Sequence, residues 1–128
     1  MAIKKQAGRQ EPALAVVSFT IGTGGDITAA GTYPAIELPQ DAVVQEGWLN
    51  VKTATSSGVT IAISDGTSTY LSATTAAATG LTDLVPTGKT LTQQTNINVV
   101  VAGSPTTLGT VELVVEYFQQ GKTEWTQG

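Results

Sequence analysis

Ten carboxylates, six basic side chains and a scatter of hydroxyls are all that this 128-residue chain offers for chemistry, because it has neither histidine nor cysteine. Imidazole is the usual proton carrier near neutral pH and the commonest metal ligand, and thiolate is the strongest natural nucleophile, so both common routes to catalysis are closed. A glycosidase would need two carboxylates facing one another across a cleft. The candidates Glu37, Asp41, Glu46, Asp65 and Asp83 fall instead at predicted turns or on solvent faces, where charge ordinarily sits. Glu112 and Glu116 share the outward face of one strand, and Asp26 follows a glycine pair with no third ligand at a spacing that suggests calcium. Gly22-Thr23-Gly24-Gly25 lacks the Gly-Lys-Ser/Thr ending of a phosphate loop and no helix follows it, so it reads as a turn. A serine nucleophile has no histidine to activate it, and nothing supports a Ser/Lys pair. The residues therefore predict a non-enzymatic protein with no catalytic residue, cofactor or metal, acting through a surface that binds or encloses something.

Composition agrees with that expectation. Charged residues make up 12% of the chain, about half the share in an average soluble domain, and Thr, Ser, Ala, Gln and Gly take their place. So few charges do little to keep identical copies apart, which predicts an oligomer or a subunit docked on a larger assembly. The net charge of -4 argues against sequence-independent binding to nucleic acid, which needs clustered Lys and Arg. No stretch approaches the ~18 apolar residues of a membrane span. The two lysines near the start precede no apolar segment of the secretory type, so the protein is expected to be made and used within one cell. Without disulfides, stability must come from packing or from partner chains.

Alternating apolar residues mark the elements. Leu14 to Ile21 reads as a strand, with Ala15, Val17, Phe19 and Ile21 on one face. Ile27 to Tyr33 is a weak segment expected to end at Pro34, and Ile36 to Ala42 an extended edge followed by a turn around Pro39. Val43 to Thr53 is the clearest strand: Val43, Gln45, Gly47, Leu49 and Val51 line one face and Val44, Glu46, Trp48, Asn50 and Lys52 the other. Trp48 thus either closes the end of the core or stands on an exposed, interfacial side. Residues 58 to 72 read as a hairpin around Asp65-Gly66, a type I′ signal in which both central residues take positive φ. Residues 73 to 95 read as a long loop with a short strand or two. Asn96 to Ala102 and Thr110 to Phe118 read as two further strands joined as a second hairpin by the polar loop 103 to 109.

These elements predict an all-β fold: an antiparallel β-sandwich or jelly-roll-like domain of six to eight short strands over residues 13–118, between two arms. The N-terminal arm, residues 1–12, carries Lys4, Lys5 and Arg9, half of the basic residues. It is either a loose terminus or a basic strap laid on an acidic neighbour. The C-terminal tail, residues 119–128, is polar except for Trp125. An isolated Trp there either folds back over its own domain or inserts into a neighbour.

The run from Glu37-Leu38-Pro39-Gln40-Asp41-Ala42-Val43-Val44 through Trp48-Leu49-Asn50-Val51-Lys52, then Ile61-Ala62-Ile63-Ser64-Asp65-Gly66 and the closing Val111-Glu112-Leu113-Val114-Val115-Glu116-Tyr117-Phe118, resembles the pattern of small head decoration (cement) proteins of tailed bacteriophages. The likeness spans about residues 36 to 118 and consists mostly of β-sandwich grammar, which head-fibre and tail-fibre modules share. It implies a subunit, often a trimer, on the outer surface of a phage head assembled in the host cytoplasm, clamping neighbouring copies of the major capsid protein. Lys4, Lys5, Arg9, Trp48 and Trp125 would then be its capsid or subunit contacts. The competing expectation is a receptor- or carbohydrate-binding fibre module that recognises its target through loops 73–95 and 103–109.

Overall fold

The computed structural model describes residues 12–119, which fold into eight strands and no helix. In chain order these are β1 (Ala13–Ile21), β2 (Gly31–Leu38), β3 (Ala42–Thr53), β4 (Thr60–Ser64), β5 (Thr69–Thr75), β6 (Gly80–Asp83), β7 (Thr95–Ala102) and β8 (Gly109–Gln119). They form two antiparallel sheets with the orders β1-β8-β3-β6 and β2-β7-β4-β5. The all-β sandwich read from the alternation is the observed architecture.

The pairing has a simple logic. The first strand bonds the last, the second the seventh, the third the sixth and the fourth the fifth, as if one long hairpin with its tip between β4 and β5 had been rolled up. Rolling then zips β3 to β8 and β4 to β7, closing each sheet. This is the connectivity of a jelly roll. It also corrects the second hairpin expected from the sequence. β7 and β8 lie in different sheets, so residues 103–108 cross between layers rather than turn within one. Strand pairing is a long-range property, and alternation in neighbouring segments carries no record of it.

The core lies between the layers, where the inward residues of both sheets interdigitate: Phe19 and Ile21 of β1, Leu49 and Val51 of β3, Ile61 and Ile63 of β4, Ile97, Val99 and Val101 of β7, and Val111, Leu113 and Val115 of β8. In β3 the expected face assignment holds only from Glu46 onward. The register shifts between Val44 and Glu46, a bulge at Gln45, so Val44 rather than Val43 shares the core side with Leu49 and Val51. β2 likewise runs through Pro34 instead of ending there, with a register shift between Pro34 and Ile36. Proline is tolerated because β2 is an edge strand.

The β4–β5 hairpin forms around Asp65-Gly66 as expected, but not by the expected turn. Gly66 has φ +95°, whereas Asp65 does not take a positive φ. Instead the Asp65 carboxylate builds the turn: Oδ1 accepts the backbone N–H groups of Thr67 (2.9 Å) and Ser68 (2.6 Å), and Asp65 N donates to Ser68 O (3.0 Å). Asp65, expected on a solvent-facing turn, is buried as a result.

Candidate functional site

The strand directions divide the connections between two poles. One pole gathers the β1–β2, β3–β4, β5–β6 and β7–β8 connections; the other holds the β2–β3, β4–β5 and β6–β7 connections together with the start of β1 and the end of β8. The first pole is tied down by hydroxyls. The buried Thr55 Oγ1 donates to Thr107 O at 2.6 Å, and Ser56 Oγ accepts the backbone N–H groups of Thr106 (2.7 Å) and Thr107 (2.8 Å). Of the two loops named for a fibre module, 73–95 is divided: it contains the end of β5, residues 76–79 at this pole with 103–108, strand β6, and residues 84–94 at the other pole.

Trp48 is the one expected contact residue among those described; Lys4, Lys5, Arg9 and Trp125 lie outside them. Trp48 is half-buried and is not part of the core between the sheets. The register sets it on the outer face of the β1-β8-β3-β6 sheet, in a transverse row with Val16, Val114 and Asp83. The row below holds Leu14, Glu116 and Glu46, and the row above Ser18, Glu112, Asn50 and Leu81. Leu14, Val16 and Leu81 expose 60%, 54% and 61% of their surface, while Val114 between its neighbours is buried. An apolar band thus crosses the outside of this sheet, where a solvated face would carry polar residues.

Its charge is one-sided. Glu46 faces Glu116 directly across the strands, an unfavourable like-charge pairing, with Asp83 one row away. Lys52 lies 3.3 Å from Glu112 and is the one cation on this face among the described residues. Glu37, Asp41 and Asp26 are exposed elsewhere. Asp26 is engaged locally, its Oδ2 accepting from Thr20 N (3.0 Å) and Thr20 Oγ1 (3.2 Å), so the glycine-rich segment before it is a turn braced by a carboxylate.

Alternation could not have located one further feature. Where the unpaired edges of β1 and β2 meet, an apolar cleft of about 240 Å³ opens between Val17, Phe19, Ile27, Tyr33, Pro34 and Val99, with Asp26 at its rim. It exists because the two sheets are not bonded along that seam.

No family model matches the chain, and no curated protein matches it. Three solved structures do. A chain of the cyanophage Pam1 capsid asymmetric unit aligns with TM-score 0.65 at 22% identity over 92% of this chain and 91% of that one. A chain of the acid-stable capsid of Helicobacter pylori bacteriophage KHP30 aligns with TM-score 0.62 at 21% identity over 91% and 93%. A chain of the capsid of Ralstonia phage GP4 aligns with TM-score 0.57 at 18% identity over 95% and 91%. The likeness is one of fold. It extends over nine-tenths or more of both partners in each case.

Proposed function

We propose that this chain is a structural virion protein: a decoration or cement subunit, trimeric, that sits on the outer surface of a phage head and bridges neighbouring copies of the major capsid protein. The three chains of like fold all come from phage capsids and match it in length as well as in architecture. The observation that carries the mechanism is the position of the chain's two ends. Ala13 at the start of β1 pairs with Tyr117 near the end of β8, so both arms depart side by side from one pole.

A subunit built this way grips with one end. The arm bearing Lys4, Lys5 and Arg9 meets acidic capsid surface, while the opposite pole, held shut by Thr55 and Ser56, faces away. Each contact is weak, but repetition around a shell converts weak contacts into avidity that resists the outward pressure of packaged DNA.

The test is binding of purified protein to expanded and unexpanded heads. Full-length protein is expected to bind expanded heads and raise their resistance to heat, and a variant lacking residues 1–12 to stay folded but fail to bind. Undiminished head binding by the truncated protein would refute the role of the arm. Binding to host cells or glycans, with none to heads, would replace the proposal with the fibre module.

A further inference from the structure

We infer that the free edge of β1 is a pairing site for the same edge of a second copy, joined antiparallel about a two-fold axis through Val16. The inference does not rest on the proposed role at the capsid. A two-fold contact is also not the one that makes a trimer; it links a subunit of one oligomer to a subunit of the next.

The edge strands of the two sheets are β1, β6, β2 and β5, and three of them are blunted. β6 is four residues long and ends in Asp83. β2 carries Pro34, Glu37 and a register shift between Pro34 and Ile36. β5 meets β4 through register shifts between Ile61 and Ile63 and between Ile63 and Ser64. Such devices keep a row of unpaired N–H and C=O groups from recruiting another chain. β1 has none of them: Ala13–Ile21 holds no charge, proline or glycine, and its register against β8 is unbroken.

Hydrogen bonding fixes which groups are on offer. Ile27 N donates to Thr20 O and Thr20 N donates to Asp26 Oδ2, so Thr20 turns its backbone groups away from β8. Alternate residues of a strand point the same way, and Ser18, Val16 and Leu14 therefore present theirs to the open edge. Thr20, already engaged, closes one end of this window, and Pro12, without an N–H, closes the other. Among the described residues no strand pairs with the stretch between them.

One two-fold register uses all three residues. With Val16 opposite the partner's Val16, Leu14 stands opposite the partner's Ser18 and Ser18 opposite the partner's Leu14, and each pair exchanges both its bonds. Moving the centre to Ala15 or Val17 sets one of the three against Pro12 or Thr20. On the inner face Ala13 meets the partner's Phe19 and Ala15 the partner's Val17, small opposite large. On the outer face the row of Trp48, Val114 and Val16 runs on into the same row of the partner, so the apolar band continues across both copies. The acids stay apart: Glu116, beside Leu14, and the partner's Glu112, beside Ser18, are three strand spacings from each other, about 14 Å, which exceeds the ~8 Å screening length at physiological ionic strength.

The chain has no cysteine, so an introduced thiol reports on one position. Val16→Cys replaces a side chain that is more than half exposed and is expected to oxidise to a disulfide-linked dimer, because the two central residues lie about 5.5 Å apart. Ser18→Cys should link about tenfold less or worse, its counterpart being roughly 14 Å away along the strands. An equimolar mixture of Leu14→Cys and Ser18→Cys should restore linking, as the mixed dimer. In the unmodified chain, amide exchange at Leu14, Val16 and Ser18 is expected to slow as the protein is concentrated from micromolar to millimolar, a readout that requires no variant to fold. Exchange indifferent to concentration overturns the inference, as does Val16→Cys that links no faster than Ser18→Cys. Linking of Val16→Cys only after residues 1–11 are removed overturns it too, and makes the chain's own arm the occupant of the edge.

Discussion

Tyr70, at the start of β5, donates its phenolic hydroxyl to Asp65 Oδ2 at 3.0 Å, and the two side chains are 2% and 8% exposed. Burial pushes the Asp65 carboxyl up. The hydrogen bonds from Ser68 N, Thr67 N, Tyr70 and the Thr67 hydroxyl outweigh it and hold the group below its ordinary 3.8. Burial, then the adjacent Asp65 charge and the hydrogen bond to it, push Tyr70 up to about 12. One pair therefore ties a turn to the core and bounds the pH range in which it holds.

The acid limb follows from Asp65. A folded-state value below the unfolded one means that its contribution is complete above about pH 4 and fades as pH falls through the depressed folded value. For Tyr70 the sign is opposite: a raised value leaves its contribution intact below pH 10 and removes it between pH 10 and about 12. Denaturant titrations of the wild type should lose stability in both windows, and Tyr70→Phe should lose much less in the alkaline one.

Removing either partner at neutral pH should be costly. Tyr70→Phe leaves a buried carboxylate oxygen without its donor, at about 1–3 kcal/mol. Asp65→Ala strips the turn of all its carboxylate bonds and should cost more than Tyr70→Phe, whereas Asp65→Asn keeps an acceptor for Thr67 and Ser68 and should cost less than Asp65→Ala. Urea unfolding of the three variants checks the order.

Gly47 is where β3 presses closest on its neighbours. A Cβ there would run into the carbonyl oxygen of Val114 and lie 2.8 Å from Leu84 Cδ1. The carbonyl belongs to a ladder and cannot swing aside, so Gly47→Ala should destabilise by about 1–3 kcal/mol, measured by thermal melting. The parallel change Gly66→Ala meets no neighbouring atom but strains a residue at φ +95°, and should cost about 1 kcal/mol.

At the pole away from the chain ends, Thr55→Val preserves shape but leaves Thr107 O without its buried donor. A loss of about 1–2 kcal/mol is expected. If that pole faces away from the capsid as proposed, head binding by the variant should equal wild type at temperatures where it remains folded.

Neutralising the arm by Lys4→Gln, Lys5→Gln and Arg9→Gln together should weaken binding to expanded heads by about tenfold or more and flatten its dependence on salt. Sedimentation of heads with labelled protein over a salt series reads both effects.

What the sequence revealed and what it withheld divide along the range of the forces involved. The strands at Leu14–Ile21, Val43–Thr53, Asn96–Ala102 and Thr110–Phe118, and the hairpin at Asp65-Gly66, are written in local alternation and turn chemistry, and all are observed. The parity of Trp48 with Glu46, Asn50 and Lys52 left two placements open, the end of the core or an outward side, and the register with β8 and β6 sets it on the outer face. The bulge at Gln45 has no local signature; it answers to the register of β8. Likewise nothing near β7 and β8 says that their partners are β2 and β1, at the far end of the chain. Asp65 was misplaced because a charge beside glycine at a turn is usually solvated, and the Tyr70 hydroxyl that rewards its burial is a fact of tertiary packing.

The bond between the first strand and the last has a cost during synthesis. Until Tyr117 has emerged from the ribosome, Ala13 and the eight residues that follow it have no partner strand, and half of one sheet waits unassembled with Val17 and Phe19 uncovered. Assembly of that sheet therefore waits for its last strand, and crowded, rapid production exposes the orphan segment to its counterparts on neighbouring nascent chains.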